Sequence, residues 1–147
     1  MRNLGLFIAT LLALGQVQAD KPHALFVVGT HHYSPHETMP ALASQLDALG
    51  WKTSVLNPSY NPEKNSKGIA GLEQLQEADV AIFYTRFLRL PPDQFHLIQL
   101  YLEAGKPVVG FRTSTHAFDY PKDNSLAKWN NGFGSDALGS QYFAHLQ

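Results

Sequence analysis

Short apolar runs alternate along the chain with stretches whose apolar residues recur at helical spacing. Ala24 to Gly29 is a continuous apolar run, as a strand buried on both faces requires. A polar turn over His31 to Pro35 follows. Met39, Leu42, Ala43, Leu46 and Leu49 then mark one face of a helix that Gly50 ends. Trp51 to Leu56 reads as a second strand. Asn57 to Gly68, rich in Asn, Pro, Ser and Lys, reads as an exposed loop. Leu72, Leu75 and Ala78 predict a short helix, and Asp79 to Thr85 a third strand. Pro91 and Pro92 open another helix, where proline forfeits no helical hydrogen bond. Its apolar stripe is Phe95, Ile98 and Leu102, and Gly105 closes it. Lys106 to Phe111 is the fourth strand. Asp119 to Ser135 is loop-like, and Asp136 to His145 predicts one more helix.

Strands alternating with helices predict a parallel sheet with right-handed crossovers, an α/β three-layer sandwich with flavodoxin-like strand order. A fifth strand is not visible, so the expectation is a sheet truncated at its C-terminus, as in a piece of a longer domain. No internal repeat or low-complexity tract interrupts residues 20–147, which read as one domain.

Residues 1–19 read differently. Met1-Arg2-Asn3 gives a positive start, Leu4 to Leu14 is apolar, and Val17-Gln18-Ala19 fits a cleavage site. This is the pattern of a secretory signal peptide with Asp20 as the first mature residue, and it predicts a periplasmic or secreted protein. An uncleaved membrane anchor is the other reading. The apolar run is too short to span a bilayer, so no stable span is expected after cleavage.

Net charge is −1 and no basic stripe is present, which argues against nucleic acid as a partner. The sequence has no cysteine, so disulfides, thiolate catalysis and cysteine metal sites are excluded. It names no cofactor and no oligomeric state.

Parallel strands place their carboxyl ends on one edge, where ligands bind in open α/β sheets. Thr30, His31, His32 and Tyr33 follow the first strand, Arg86 the third, and Arg112 to His116 the fourth. Histidines, arginines and hydroxyls from distant parts of the sequence therefore converge. A solvated rim of loop residues is the plainer account of the same convergence. His116 is the candidate acid/base, since an imidazole titrates near neutral pH; it could equally orient the turn. Glu37 is a candidate acid or base, but Ser34-Pro35-His36-Glu37 also matches a helix capping box. Arg112 and Arg86 suit a carboxylate, phosphate or sugar hydroxyl; an ion pair of Arg112 with Glu37 is the alternative. Tyr33, Tyr120 and Trp129 are aromatic ligand candidates in loops, while strand aromatics such as Tyr84 and Phe111 belong to the core. His31, His32 and His36 invite a metal, yet adjacent extended residues point apart, and no metal is assigned. A Ser114-His116-Asp119 triad is too close in sequence to have productive geometry.

The ordered motifs resemble the trehalose-utilisation (ThuA-like) family, a branch of the class I glutamine amidotransferase-like fold. They are Ala24 to Gly29, Glu37-Thr38-Met39-Pro40, Asp79 to Arg86, Gly105 to Phe118, Trp129 to Gly134 and Leu138 to His145. Gly105 to Phe118 is the most specific. Related amidotransferases carry a nucleophilic cysteine at the turn after the fourth strand, where this chain has Arg112. Many relatives have an acidic residue where His32 precedes Tyr33, and their domain runs on past the length seen here. The resemblance implies sugar-related metabolism: an exported domain that binds, and as an enzyme would transform, a sugar or oxidised sugar. His116 would act with Glu37 or His32, and Arg112, Arg86, Thr113, Tyr33 and Trp129 would hold the carbohydrate-like ligand. The other classes are a non-catalytic binding domain and an amidotransferase-like hydrolase with a nucleophile such as Ser114.

Overall fold

The computed structural model describes residues 20–143. The expected signal peptide therefore lies outside the described residues, as does the end of the helix expected over Asp136 to His145, whose described part is helical only to Ala137 and irregular from Leu138 to Phe143. Four parallel strands, β1 (His23–Gly29), β2 (Lys52–Leu56), β3 (Val80–Thr85) and β4 (Val108–Gly110), form one sheet in the order β2-β1-β3-β4. This is the expected α/β arrangement with flavodoxin-like order, and β1 and β3 occupy its centre.

Register follows from burial. All seven residues of β1 are buried, with Leu25 paired to Ser54 on one side and to Ala81 on the other. Alternate side chains enter different layers. Ala24, Phe26 and Val28 join Ile82 and Tyr84 beneath helix α1 (Pro35–Ala48), which contributes Met39 and Ala43. Leu25 and Val27 face the opposite layer with Phe83, Phe95, Ile98, Phe118 and Phe133. That layer holds α2 (Pro92–Glu103), a 3-10 turn at Leu72–Gln76 and the C-terminal segment. The two layers and the sheet make the three-layer sandwich. On the α1 side the cover stops short of β4, where Val109 is 42% exposed.

Helix α1 carries a proline in its interior, and its neighbours answer for it. Pro40 has no N–H to donate to the carbonyl four residues earlier. That carbonyl, on His36, instead accepts the Asn57 side-chain amide at 2.9 Å. The substitute bond ties the first turn of α1 to the carboxyl end of β2. The capping box read from Ser34 to Glu37 does not form. Ser34 is in the left-handed region (φ 53°) and its hydroxyl makes no cap bond. Its carbonyl accepts the N–H groups of Glu37 and Thr38, with Pro35 pre-set at the first helical position.

Three further expectations are corrected. β4 is three residues long, shorter than Lys106 to Phe111, because its ladder with β3 pairs only Val108, Val109 and Gly110, with Ala81, Ile82 and Phe83. Asp119 to Ser135 contains a single helical turn, α3 (Trp129–Gly132), continued by a π-helical turn at Phe133–Ala137. The Asn57 to Gly68 segment is not simply an exposed loop, since part of it docks on the strand ends.

Candidate functional site

The strand order reverses direction between β1 and β3, and a crevice at such a point is where α/β sheets take ligands. Thr30 closes β1 and is fully buried. Its hydroxyl donates to Glu63 Oε2 at 3.0 Å and accepts the His32 N–H at 3.0 Å. Arg86, the first residue after β3, pairs with the other oxygen of Glu63. Glu63 therefore bridges the two central strand ends, and a hydroxyl and a guanidinium meet its desolvation cost.

The segment around Glu63 is anchored along its backbone. Lys64 donates its N–H to the Phe87 carbonyl at 2.8 Å, and Glu63 forms an isolated bridge with Leu88. Lys64 and Phe87 both hold positive φ, 54° and 49°. The Phe87 ring receives the Arg86 guanidinium at 4.3 Å and the Lys64 ammonium at 5.4 Å.

The turn after β4 is fixed against β3. Ser114 Oγ accepts the Thr85 N–H at 3.2 Å and lies 2.8 Å from the Phe83 carbonyl and 3.0 Å from that of Phe111. Thr113 donates its hydroxyl to the Thr85 carbonyl at 2.8 Å. Both side chains are buried and spend their hydroxyls on backbone, so Thr113 braces the turn from within. His116 ends this 3-10 turn (Arg112–His116); its carbonyl accepts the Phe87 N–H at 3.1 Å. Its buried imidazole packs between Phe87 (5.2 Å) and Tyr142 (4.2 Å).

His116 lines a cavity of about 370 Å³ with Phe87, Phe118, Asp119, Asn130, Asn131, Gln141, Tyr142 and Phe143. Some of its polar groups are committed. Asp119 pairs with Arg89 at 2.8 Å. Asn130 exchanges two bonds with the Tyr120 backbone. The amides of Asn131 and Gln141 bond to no other described residue and are available to a ligand. The volume is within the range of small-molecule sites.

The remaining candidates lie elsewhere. Tyr33, 53% exposed, carries the Arg112 guanidinium at 4.0 Å and has the exposed His32 ring against it at 4.2 Å. Arg112 pairs with no carboxylate among the described residues, so the ion pair with Glu37 is absent. Glu37 projects into solvent, its side chain 74% exposed, and its one ionic neighbour among them is His36 at 3.9 Å. Tyr120 is not a loop ligand group. It is buried, its hydroxyl donates to the Leu90 carbonyl at 3.1 Å, and burial pushes its phenol well above the ordinary value. Trp129 packs on Phe95 at 5.2 Å and faces a different cavity, of about 340 Å³, beside Lys106 and Val108. Burial also raises the Tyr84 phenol, a shift opposed in part by the Arg112 guanidinium against its hydroxyl.

His31 packs against His36 at 4.8 Å. Among the described residues no three side chains of the metal-ligating kinds gather. No helix of the described residues is long and apolar enough to cross a membrane. The structure thus joins Thr30 and Arg86 through Glu63, puts only the backbone N–H of His32 on Thr30 while its ring packs on Tyr33, and sets His116 beyond Phe87. It leaves Glu37 and Trp129 apart from both. Glu63 was missed because a lone carboxylate in a polar segment has no periodic signature. The one signal for it was Arg86, a cation directly after a buried strand, which calls for a counter-charge nearby. Comparison with protein-family models, with curated proteins and with solved structures found no match to the chain.

Proposed function

We propose that this chain is an exported ThuA-like domain that binds a sugar or oxidised sugar in the cavity beside His116 and transforms it by acid–base chemistry. One observation carries the reading: the buried imidazole shares the cavity wall with aromatic rings and two available amides. Rings of Phe87, Tyr142 and Phe143 suit the C–H face of a pyranose. Asn131 and Gln141 each offer a donor and an acceptor to its hydroxyl edge. His116 would take a proton from the bound ring, or return one, within hydrogen-bond reach. Arg86 and Glu63 would hold Phe87 in place from behind.

The chain has no cysteine, which removes the thiolate chemistry of related amidotransferases. Ser114 is a poor substitute nucleophile, because its hydroxyl is buried and engaged by the backbone of β3 and Phe111. Both facts favour sugar binding with proton transfer over hydrolysis through a covalent intermediate.

Calorimetry against a panel of neutral and oxidised mono- and disaccharides tests binding, and product analysis tests turnover. At least one sugar is expected to bind. His116→Ala is expected to lower turnover by about a hundredfold or more while the circular dichroism spectrum stays unchanged. Full activity in that variant would remove His116 from the chemistry. Binding without any product would leave a non-catalytic sugar-binding domain.

A further inference from the structure

Arg86, Arg89 and Arg112 are the arginines of the described residues. Arg86 pairs with Glu63 and Arg89 with Asp119, whereas Arg112 has an aromatic ring and a phenol hydroxyl as its neighbours and no carboxylate. It sits at the carboxyl end of β4, on the edge of the sheet where ligands enter.

Two features make this more than a surface arginine. Tyr33, Ser34 and Arg112 hold positive φ of 65°, 53° and 45°, a conformation that costs energy for residues with side chains. Two separate turns, after β1 and after β4, are thus bent to bring one guanidinium onto one ring. The stack also encloses little, since Arg112 and Tyr33 both remain exposed. Core packing therefore does not account for the arrangement. The Arg112 guanidinium, held 4.0 Å over the Tyr33 ring, turns part of its N–H edge to the Tyr84 hydroxyl, and its remaining N–H groups suit a two-oxygen anion. The ring underneath restricts the side chain, so less freedom is lost when that anion binds.

We infer that Arg112, laid on Tyr33 at the carboxyl edge of β4, is the binding group for a small oxyanion, a carboxylate or a phosphate. Tyr33 is its positioning residue. His32, packed on the same tyrosine, adds a second polar ring at the rim. The inference is independent of the sugar reading, because neither Arg112 nor Tyr33 lines the cavity beside His116.

The test titrates the full chain with acetate and, separately, with inorganic phosphate, following the Arg112 side-chain Nε–H resonance by NMR. A saturable shift at constant ionic strength is expected for at least one of them, and the tighter one identifies the class of acid. By calorimetry, Arg112→Gln is expected to weaken that anion at least about tenfold, the loss of one charge-assisted pair. Tyr33→Ala is expected to weaken it less and to broaden the Arg112 resonance. An Arg112 resonance that neither anion moves would overturn the inference. So would an Arg112→Gln variant that binds the anion as the wild type does.

Discussion

Glu63 controls more of this molecule's site than any residue of the strands themselves. Its two oxygens take the Thr30 hydroxyl and the Arg86 guanidinium, so the ends of β1 and β3 share one carboxylate. Arg86 in turn lies over Phe87, the ring against which His116 packs. Removing the charge leaves a guanidinium with less than a quarter of its side chain exposed and no counter-ion. Glu63→Gln should therefore cost about 1–3 kcal/mol, between the small value of exposed pairs and the large one of fully buried pairs. A urea midpoint equal to the wild type's would show that the pair contributes nothing. Of these residues, Arg86 and His116 were legible in the sequence, because Arg86 lies directly after an apolar run and His116 lies in the polar turn that follows another. Glu63 was not, since its partners are 33 and 23 residues away. Glu37 shows the opposite error. Its spacing fitted a capping box, but a left-handed Ser34 turns the hydroxyl away from the helix, and spacing alone cannot reveal that.

At the level of elements, the strands and the two long helices followed from apolar periodicity. Local pattern is sufficient there because burial on both faces of β1, or on one face of α2, writes itself into residue order. The C-terminal segment was less legible, since its shape comes from contacts made far along the chain. Gly134 shows why. A Cβ placed there would come within 2.5 Å of the Thr115 carbonyl oxygen and 2.6 Å of that of Ser140. Only glycine lets the π-helical turn lie directly against the turn that carries His116. Gly134→Ala is expected to push the segment of Gln141 and Tyr142 off the His116 turn. The cost should be about 1–3 kcal/mol, as for other overpacked sites, with weakened binding in the cavity. A Gly134→Ala chain with wild-type thermal stability and ligand affinity would count against this contact. The proline in α1 belongs to the same class. Asn57 covers the carbonyl that Pro40 leaves open, a pairing that no periodicity announces.

Across the whole molecule, the amino edge of the sheet sets a pH dependence of stability through His23. His23 is buried, with Nε2 3.0 Å from the Ser54 hydroxyl. Burial first, then Lys52, lowers its ring below the ordinary value of 6.5, against the opposing pull of Asp79 and Glu77. The unfolded chain therefore binds the proton more readily than the folded one. Stability from this group is fully present above pH 6.5 and is lost as pH falls through the depressed folded value. Urea unfolding of the wild type should weaken on acidification across that window. His23→Gln should show a shallower dependence, and equal slopes would contradict the assignment. The central claim concerns the opposite edge, where the cavity beside His116 is proposed to hold a sugar. Two-dimensional ¹H–¹⁵N NMR of the full chain, titrated with neutral and oxidised disaccharides, tests it most directly. The account predicts saturable shifts concentrated at Phe87, His116, Asn131 and Gln141. Saturable shifts concentrated elsewhere, or none with any sugar, would contradict it.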